Sequence, residues 1–178
     1  NVRLKASHVR LRQRIASKGQ RLSAPMISYL ASTGIRSVKV LRTATIGVLV
    51  TGDELISPGQ KLRYGQVFEC NTPALVAAIQ SVLPSAVVTT YRVKDTASAT
   101  LKAIRTALKE NQWLLITGGV SVGDFDFVLP ALKEADVRIK FHKLLQKPGK
   151  PVCFGRKNNK IVFGLPGNPA SVLSCFYT

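Results

Sequence analysis

The chain has 178 residues and a mass of 19.3 kDa, the size of one ordinary domain or of one domain with part of another. Hydrophobic residues make up 46% and charged residues 20%, a composition that buries a core without help from disulfides or metals. No apolar run approaches the roughly 20 residues of a membrane span, and neither a signal peptide nor a low-complexity tract is visible.

Lys and Arg total 26 against 9 acids, a net charge of +17. Residues 1–52 hold ten of the cations and no acid. Such a balance suits an anionic partner, or a solvated basic face, and names no ligand by itself. Cys70, Cys153 and Cys175 are odd in number, far apart and without a CxxC spacing. That argues against a disulfide framework or a structural zinc site, and for a reducing, cytoplasmic setting. The chain begins at Asn1 rather than Met, and Thr178 falls inside a predicted helix, so it reads as a piece of a longer protein.

The predicted elements fall into two zones, residues 1–43 and 44–178. In the first, Ser23 is a good cap and Pro25 is tolerated in a first turn, so a helix should carry Met26, Ile27, Tyr29 and Leu30 and stop at Gly34. Val38-Lys39-Val40 reads as a short strand, which makes this zone a small, partly β-rich end of a preceding domain. From Thr45 onward strands and helices alternate. Ile46 to Val50 is a continuous apolar run, as in a strand covered on both faces. Thr72-Pro73 should cap a helix bearing Leu75, Ile79 and Val82, and Val87 to Tyr91 is a β-branched strand. Ala97, Leu101, Ile104 and Leu108 mark the next helix, and Trp113 to Thr117 another buried strand. The alternation predicts a three-layer α/β/α fold with a mostly parallel sheet. Ligands of such sheets bind at the carboxyl ends of the strands, so the loops after Val50 and Ile116 should carry the chemistry.

Those loops are distinctive. Thr51-Gly52-Asp53-Glu54 follows the first strand; Gly118, Gly119, Ser121 and Gly123, then Asp124 and Asp126, follow the third. Glycines at a strand end let backbone N–H groups approach a phosphate, although many such turns are simply tight. Carboxylates beside such a cradle suit Mg²⁺ shared with substrate phosphate. The structural alternatives are an Asx turn at Asp53 and a helix cap at Asp124, for a helix starting near Phe125. Lys143 and Lys147 lie on or after an extended stretch, His142 to Gln146. Four apart on a strand, they would share one face and hold a tetrahedral oxyanion; a solvated strand edge is the alternative. Asn168-Pro169 predicts a capped helix whose N-terminus, with Ser171, receives an anion. His8 and His142 stand alone, without a partner at ligand or triad spacing.

In this order and spacing TGDEL (51–55), GGVSVGDFD (118–126), KPGKP (147–151) and LPGNPAS (165–171) resemble the molybdopterin molybdenumtransferase family, which includes the E domain of gephyrin. The resemblance covers nearly the whole chain. It implies an enzyme that inserts molybdate into adenylylated molybdopterin, with Mg²⁺ assisting release of AMP. It also implies catalytic roles for Asp53, Glu54 and Asp126, with Glu54 and Asp126 as metal ligands. Thr51, Gly52, Gly118, Gly119, Ser121, Gly123, Asp124, Lys143, Lys147, Pro166, Gly167, Asn168, Pro169 and Ser171 would bind substrate. A homodimer of the full-length protein and contact with the adenylyltransferase partner are implied in the same way. Where family members carry a Gly-Glu-Asp-like stretch, this chain reads Ala6-Ser7-His8.

Two other readings compete. A molybdopterin adenylyltransferase shares the fold but carries a TTGGTG-type loop, and a gephyrin-like scaffold would need partner surfaces outside this region. Nucleic acid is disfavoured as a partner, because no aromatic residue interleaves with the basic run at 3–21.

Overall fold

A computed structural model describes residues 2, 4, 7–120 and 126–178. The chain divides into two compact units, Asn1–Arg42 and Thr43–Thr178.

In the first unit helix α1 runs over Ala24–Ser32. Its start follows from Ser23, whose Oγ accepts from the Met26 N–H at 3.5 Å, and from Pro25, which needs no donor in the first turn. Gly34, at φ +82°, leaves the helix through a conformation that glycine adopts freely. Leu30 is buried, and His8 packs edge-on against Tyr29 with ring centroids 5.6 Å apart. The strand expected at Val38–Val40 does not form. Val38 and Val40 are exposed, and no described residue offers the ladder partner that a strand requires. The described residues of this unit therefore hold no β structure, and the β-rich character expected of them is corrected.

The second unit has the expected layers. Its strands are β1 (Thr45–Thr51), β2 (Leu55–Ile56), β3 (Val67–Phe68), β4 (Val87–Val93), β5 (Trp113–Thr117), β6 (Arg138–His142), β7 (Cys153–Lys157) and β8 (Lys160–Leu165). Helices α2 (Asn71–Val82), α3 (Ala97–Glu110), α4 (Val128–Glu134) and α5 (Pro169–Tyr177) alternate with them. The main sheet has the order β4-β1-β5-β8-β7-β6, while β2 and β3 form a separate parallel pair. β4, β1, β5 and β8 are parallel, and only β7 runs against the rest of the main sheet.

Every residue of β1 after Thr45 is buried, because helices cover both faces. The period of two decides which core each side chain joins. Leu49, Leu114 and Ile116 pack with Ile104 of α3 and Leu132 of α4 on one face. Ile46, Val48 and Leu115 pack with Leu75 and Ile79 of α2 and Val172 of α5 on the other. Each fully buried Leu or Ile stabilises the fold by about 1.5–3 kcal/mol. Leu49→Ala, which opens a cavity at a site of zero exposure, should cost about 3–4 kcal/mol, read as a lower urea midpoint at unchanged slope.

Three local expectations are corrected here. Helix α2 starts one residue before Thr72, and its cap comes from Glu69, whose Oε1 accepts from the Thr72 N–H at 2.8 Å. A carboxylate there also meets the positive end of the helix dipole. Helix α4 begins at Val128, with Phe127 in the capping position and no side-chain cap. The strand expected at His142–Gln146 lies earlier and ends at His142, since Lys143 turns to φ +70°. Lys143 and Lys147 therefore do not share a strand face.

Candidate functional site

β1 connects to β4 on one side of it and β4 returns to β5 on the other, so the strand order reverses between β1 and β5. At such a switch point the connecting loops diverge and leave a crevice. The carboxyl ends there are Thr51 and Thr117, both buried. Gly118 lies so near β1 that a Cβ on it would stand 2.7 Å from the Thr51 carbonyl oxygen. On Gly119, a Cβ would stand 2.7 Å from Val128 Cγ2. The two glycines thus let the third loop turn tightly over the first.

The first acidic loop is ordered by a residue that the sequence reading did not single out. Asp95 accepts from the Thr51 hydroxyl at 2.9 Å, and its own backbone N–H donates to Asp53 Oδ1 at 3.1 Å. Asp95 stands two residues beyond β4, at another carboxyl end, so the strand-end rule that drew attention to Asp53 applied to it equally. Glu54 folds back, with both carboxylate oxygens 2.9 Å from where a Gly52 Cβ would be. Asp53 and Glu54 are exposed.

Asp126 is half-buried, and neither carboxylate oxygen finds a hydrogen-bond partner among the described residues. Burial raises its pKa from 3.8 to about 6. The Val128 backbone N–H, short of full hydrogen-bond geometry, and the His142 imidazole pull it down, while Asp95 pushes it up. Asp126, Asp95 and His142 therefore share one electrostatic neighbourhood. His142 was expected to stand alone; its Nε2 instead lies 3.1 Å from the Val120 carbonyl oxygen. Only the fold reveals this, since 22 residues separate the two.

At the carboxyl end of β8, Pro166 is buried, and the Gly167 carbonyl accepts from Asn71 Nδ2 at 2.8 Å, joining this turn to the start of α2. Asn168 caps α5 as expected, its Oδ1 accepting from the Ala170 and Ser171 N–H groups. Pro169 has no N–H, and Val172 donates to the Asn168 carbonyl. The first turn thus has no N–H left for an anion among the described residues, which corrects that part of the expectation. Ser171 is buried beside it. Lys143 and Lys147 are exposed in the loop joining β6 to β7. β6 runs parallel to β1, so this loop leaves the same sheet edge, although no described bond joins either ammonium group to the acids. Ser121, Gly123 and Asp124, like Ala6, lie outside the described residues.

Among the described residues, only Glu134 and Asp136 form ion pairs, with Arg105 at 3.6 Å and Lys157 at 3.3 Å. Among the described residues, Asp53, Glu54, Asp95 and Asp126 have no lysine or arginine partner. No three of the described His, Cys, Asp and Glu residues form a group able to hold a metal unaided. A separate cavity of about 890 Å³ opens on the α2/α5 face, but its lining holds no charged residue. The ionic chemistry belongs to the strand-end edge.

Residues 47–178 match the family model described as "Probable molybdopterin binding domain". The chain belongs to that family. It is 34% identical over 177 residues to a molybdopterin molybdenumtransferase of Haemophilus influenzae, covering 99% of this chain and 43% of the relative. A Nostoc protein of the same name is also 34% identical, with 99% and 41% covered. A molybdopterin biosynthesis moeA protein from Pyrococcus superposes with a TM-score of 0.76 at 31% identity, over 92% of this chain and 40% of its own. The chain thus spans less than half the length of these relatives. The motif-based family assignment and the three-layer fold agree with them.

Proposed function

We propose that this chain takes part in molybdenum cofactor biosynthesis, as the part of a molybdopterin molybdenumtransferase that binds adenylylated molybdopterin and receives molybdate. The observation that carries the reading is the set of carboxylates at the strand-end edge, Asp53, Glu54, Asp95 and Asp126, which have no lysine or arginine partner among the described residues. Hard oxygen donors, including the unpartnered oxygens of Asp126, fit Mg²⁺, which commonly takes one or two carboxylates plus substrate phosphate. Glu54 and Asp126 would hold it, consistent with the lack of a self-sufficient protein cage. Bound there, it would neutralise charge on the phosphate released as AMP.

The chain's own groups do the rest. Gly118 and Gly119 bring backbone close to the phosphates, while Asp95 holds Thr51 and Asp53 in place. Lys143, Lys147 and Ser171 meet molybdate, and Ser121, Gly123 and Asp124 are assigned to substrate binding by their motif alone. Pro166 to Pro169 line the pocket. The homodimer, the adenylyltransferase partner and the cytoplasmic setting belong to the same reading, as does the assignment of residues 1–43 to a preceding domain. None of the described helices is long and apolar enough to cross a membrane.

Calorimetric titration with adenylylated molybdopterin and Mg²⁺ tests it. Binding should weaken at least tenfold in Asp126→Ala, and AMP should appear on addition of molybdate. Equal binding by parent and variant would sink the assignment.

A further inference from the structure

The loop carrying Asp126 and the loop carrying Lys143 and Lys147 leave the sheet from β5 and β6, three strands apart, a span of roughly 14 Å. Among the described residues a hydrogen bond joins them. His142 Nε2 meets the Val120 carbonyl oxygen at 3.1 Å, and since a carbonyl only accepts, Nε2 carries the proton. Val120 is pinned by its side chain as well, being 1% exposed. Its Cγ1 would lie 2.6 Å from a Cβ on Gly164, so the glycine of β8 makes room for it. On the other side, His142 ends β6 opposite Cys153, and the next residue turns away at φ +70° with its N–H bonded to the Val152 carbonyl. The imidazole thus stands where the lysine loop begins and reaches back to where the carboxylate loop begins.

We propose that His142 is a positioning residue that latches the turn after β5, at Gly118–Val120, to the loop carrying Lys143 and Lys147. This rests on the function proposed above, in which a phosphate–metal half and an oxyanion half of one site must keep a fixed spacing. A displacement of about 1 Å between such halves is enough to cost a large factor in productive binding. The latch needs a donor rather than a ring. Gln presents an amide N–H₂ at comparable reach, whereas Phe keeps the ring and loses the donor.

Hydrogen–deuterium exchange of the 178-residue chain, as parent, His142→Phe and His142→Gln, reads the latch without any ligand. Amides at 118–120 and 143–146 should exchange about tenfold faster in His142→Phe, with β1 and β5 unchanged, and return to parental rates in His142→Gln. Titration with adenylylated molybdopterin and Mg²⁺, then with molybdate, should show about tenfold weaker binding in the Phe variant alone. Parental exchange in His142→Phe would overturn the proposal. So would a Gln variant that behaves like Phe, or faster exchange spread over the whole sheet. A parent that binds no substrate would sink the proposed function, and the exchange comparison would still decide the latch.

Discussion

Asp126→Asn should be more stable than the parent at neutral pH and bind substrate worse. Burial pushes the Asp126 carboxyl up to about 6 in the folded chain, above its ordinary 3.8, because the fold withholds the water that would solvate the ionised form of a group with no described partner. The folded state therefore holds this proton more tightly than the unfolded state. Its contribution to stability is present at low pH, falls as pH rises from about 4 to about 6, and is gone above that. A shift of this size corresponds to about 3 kcal/mol for a fully buried group, and solvent screening of a half-buried one reduces it to about 1 kcal/mol. Asn keeps the shape and carries no charge. Melting curves should place the variant about 2–4 °C above the parent at pH 7.5 and level with it near pH 4. A variant that melts lower at both pH values would mean the carboxylate is satisfied in the fold, contrary to the geometry. A stabilised variant with weakened ligand binding is what a site carboxylate should give, since the strain it bears is the cost of a function.

Gly118→Ala should be the most damaging single methyl in the site. Gly118 sits at φ +84°, and the added Cβ would lie 2.7 Å from the Thr51 carbonyl oxygen, a backbone atom that cannot swing aside. The left-handed conformation alone costs about 1–2 kcal/mol for alanine, and separating β1 from β5 brings the total to about 2–4 kcal/mol. Thr51 would move with its carbonyl and disturb its bond to Asp95, so ligand affinity should fall as well. Gly59 supplies the control, having φ +87° with nothing within 4 Å of an added Cβ. Gly59→Ala should cost about 1 kcal/mol and leave binding unchanged. Equal urea midpoints for the two variants would show that crowding at the crevice plays no part.

Where residues legislate for their own backbone, the sequence was a sufficient guide. Ser23 and Asn168 cap the helices they were expected to cap, because a short acceptor one residue before the first turn meets N–H groups two and three residues on. The strand Trp113–Thr117, buried from Leu114 onward though exposed at Trp113, and the stripe through Leu101, Ile104 and Leu108 read correctly as elements because burial on two faces, or on one, leaves different periods. The misreadings at Val38–Val40 and at His142–Gln146 share another cause. Short extended stretches look alike whether or not a neighbour pairs with them, and a positive φ at a lysine leaves no mark on its neighbours' hydrophobicity.

By itself, then, the sequence determined the alternation of strands and helices, the family motifs, and the acids and glycines at two strand ends, since each depends on residues close along the chain. The tertiary structure alone decided that Asp95 orders Thr51 and Asp53 from 42 to 44 residues away, and that His142 reaches Val120 across two intervening strands. It also decided that Asn168 occupies the N–H groups an anion would have used. Contacts of that kind are set by strand order and by which side chains a shared edge brings together. No local spacing encodes them.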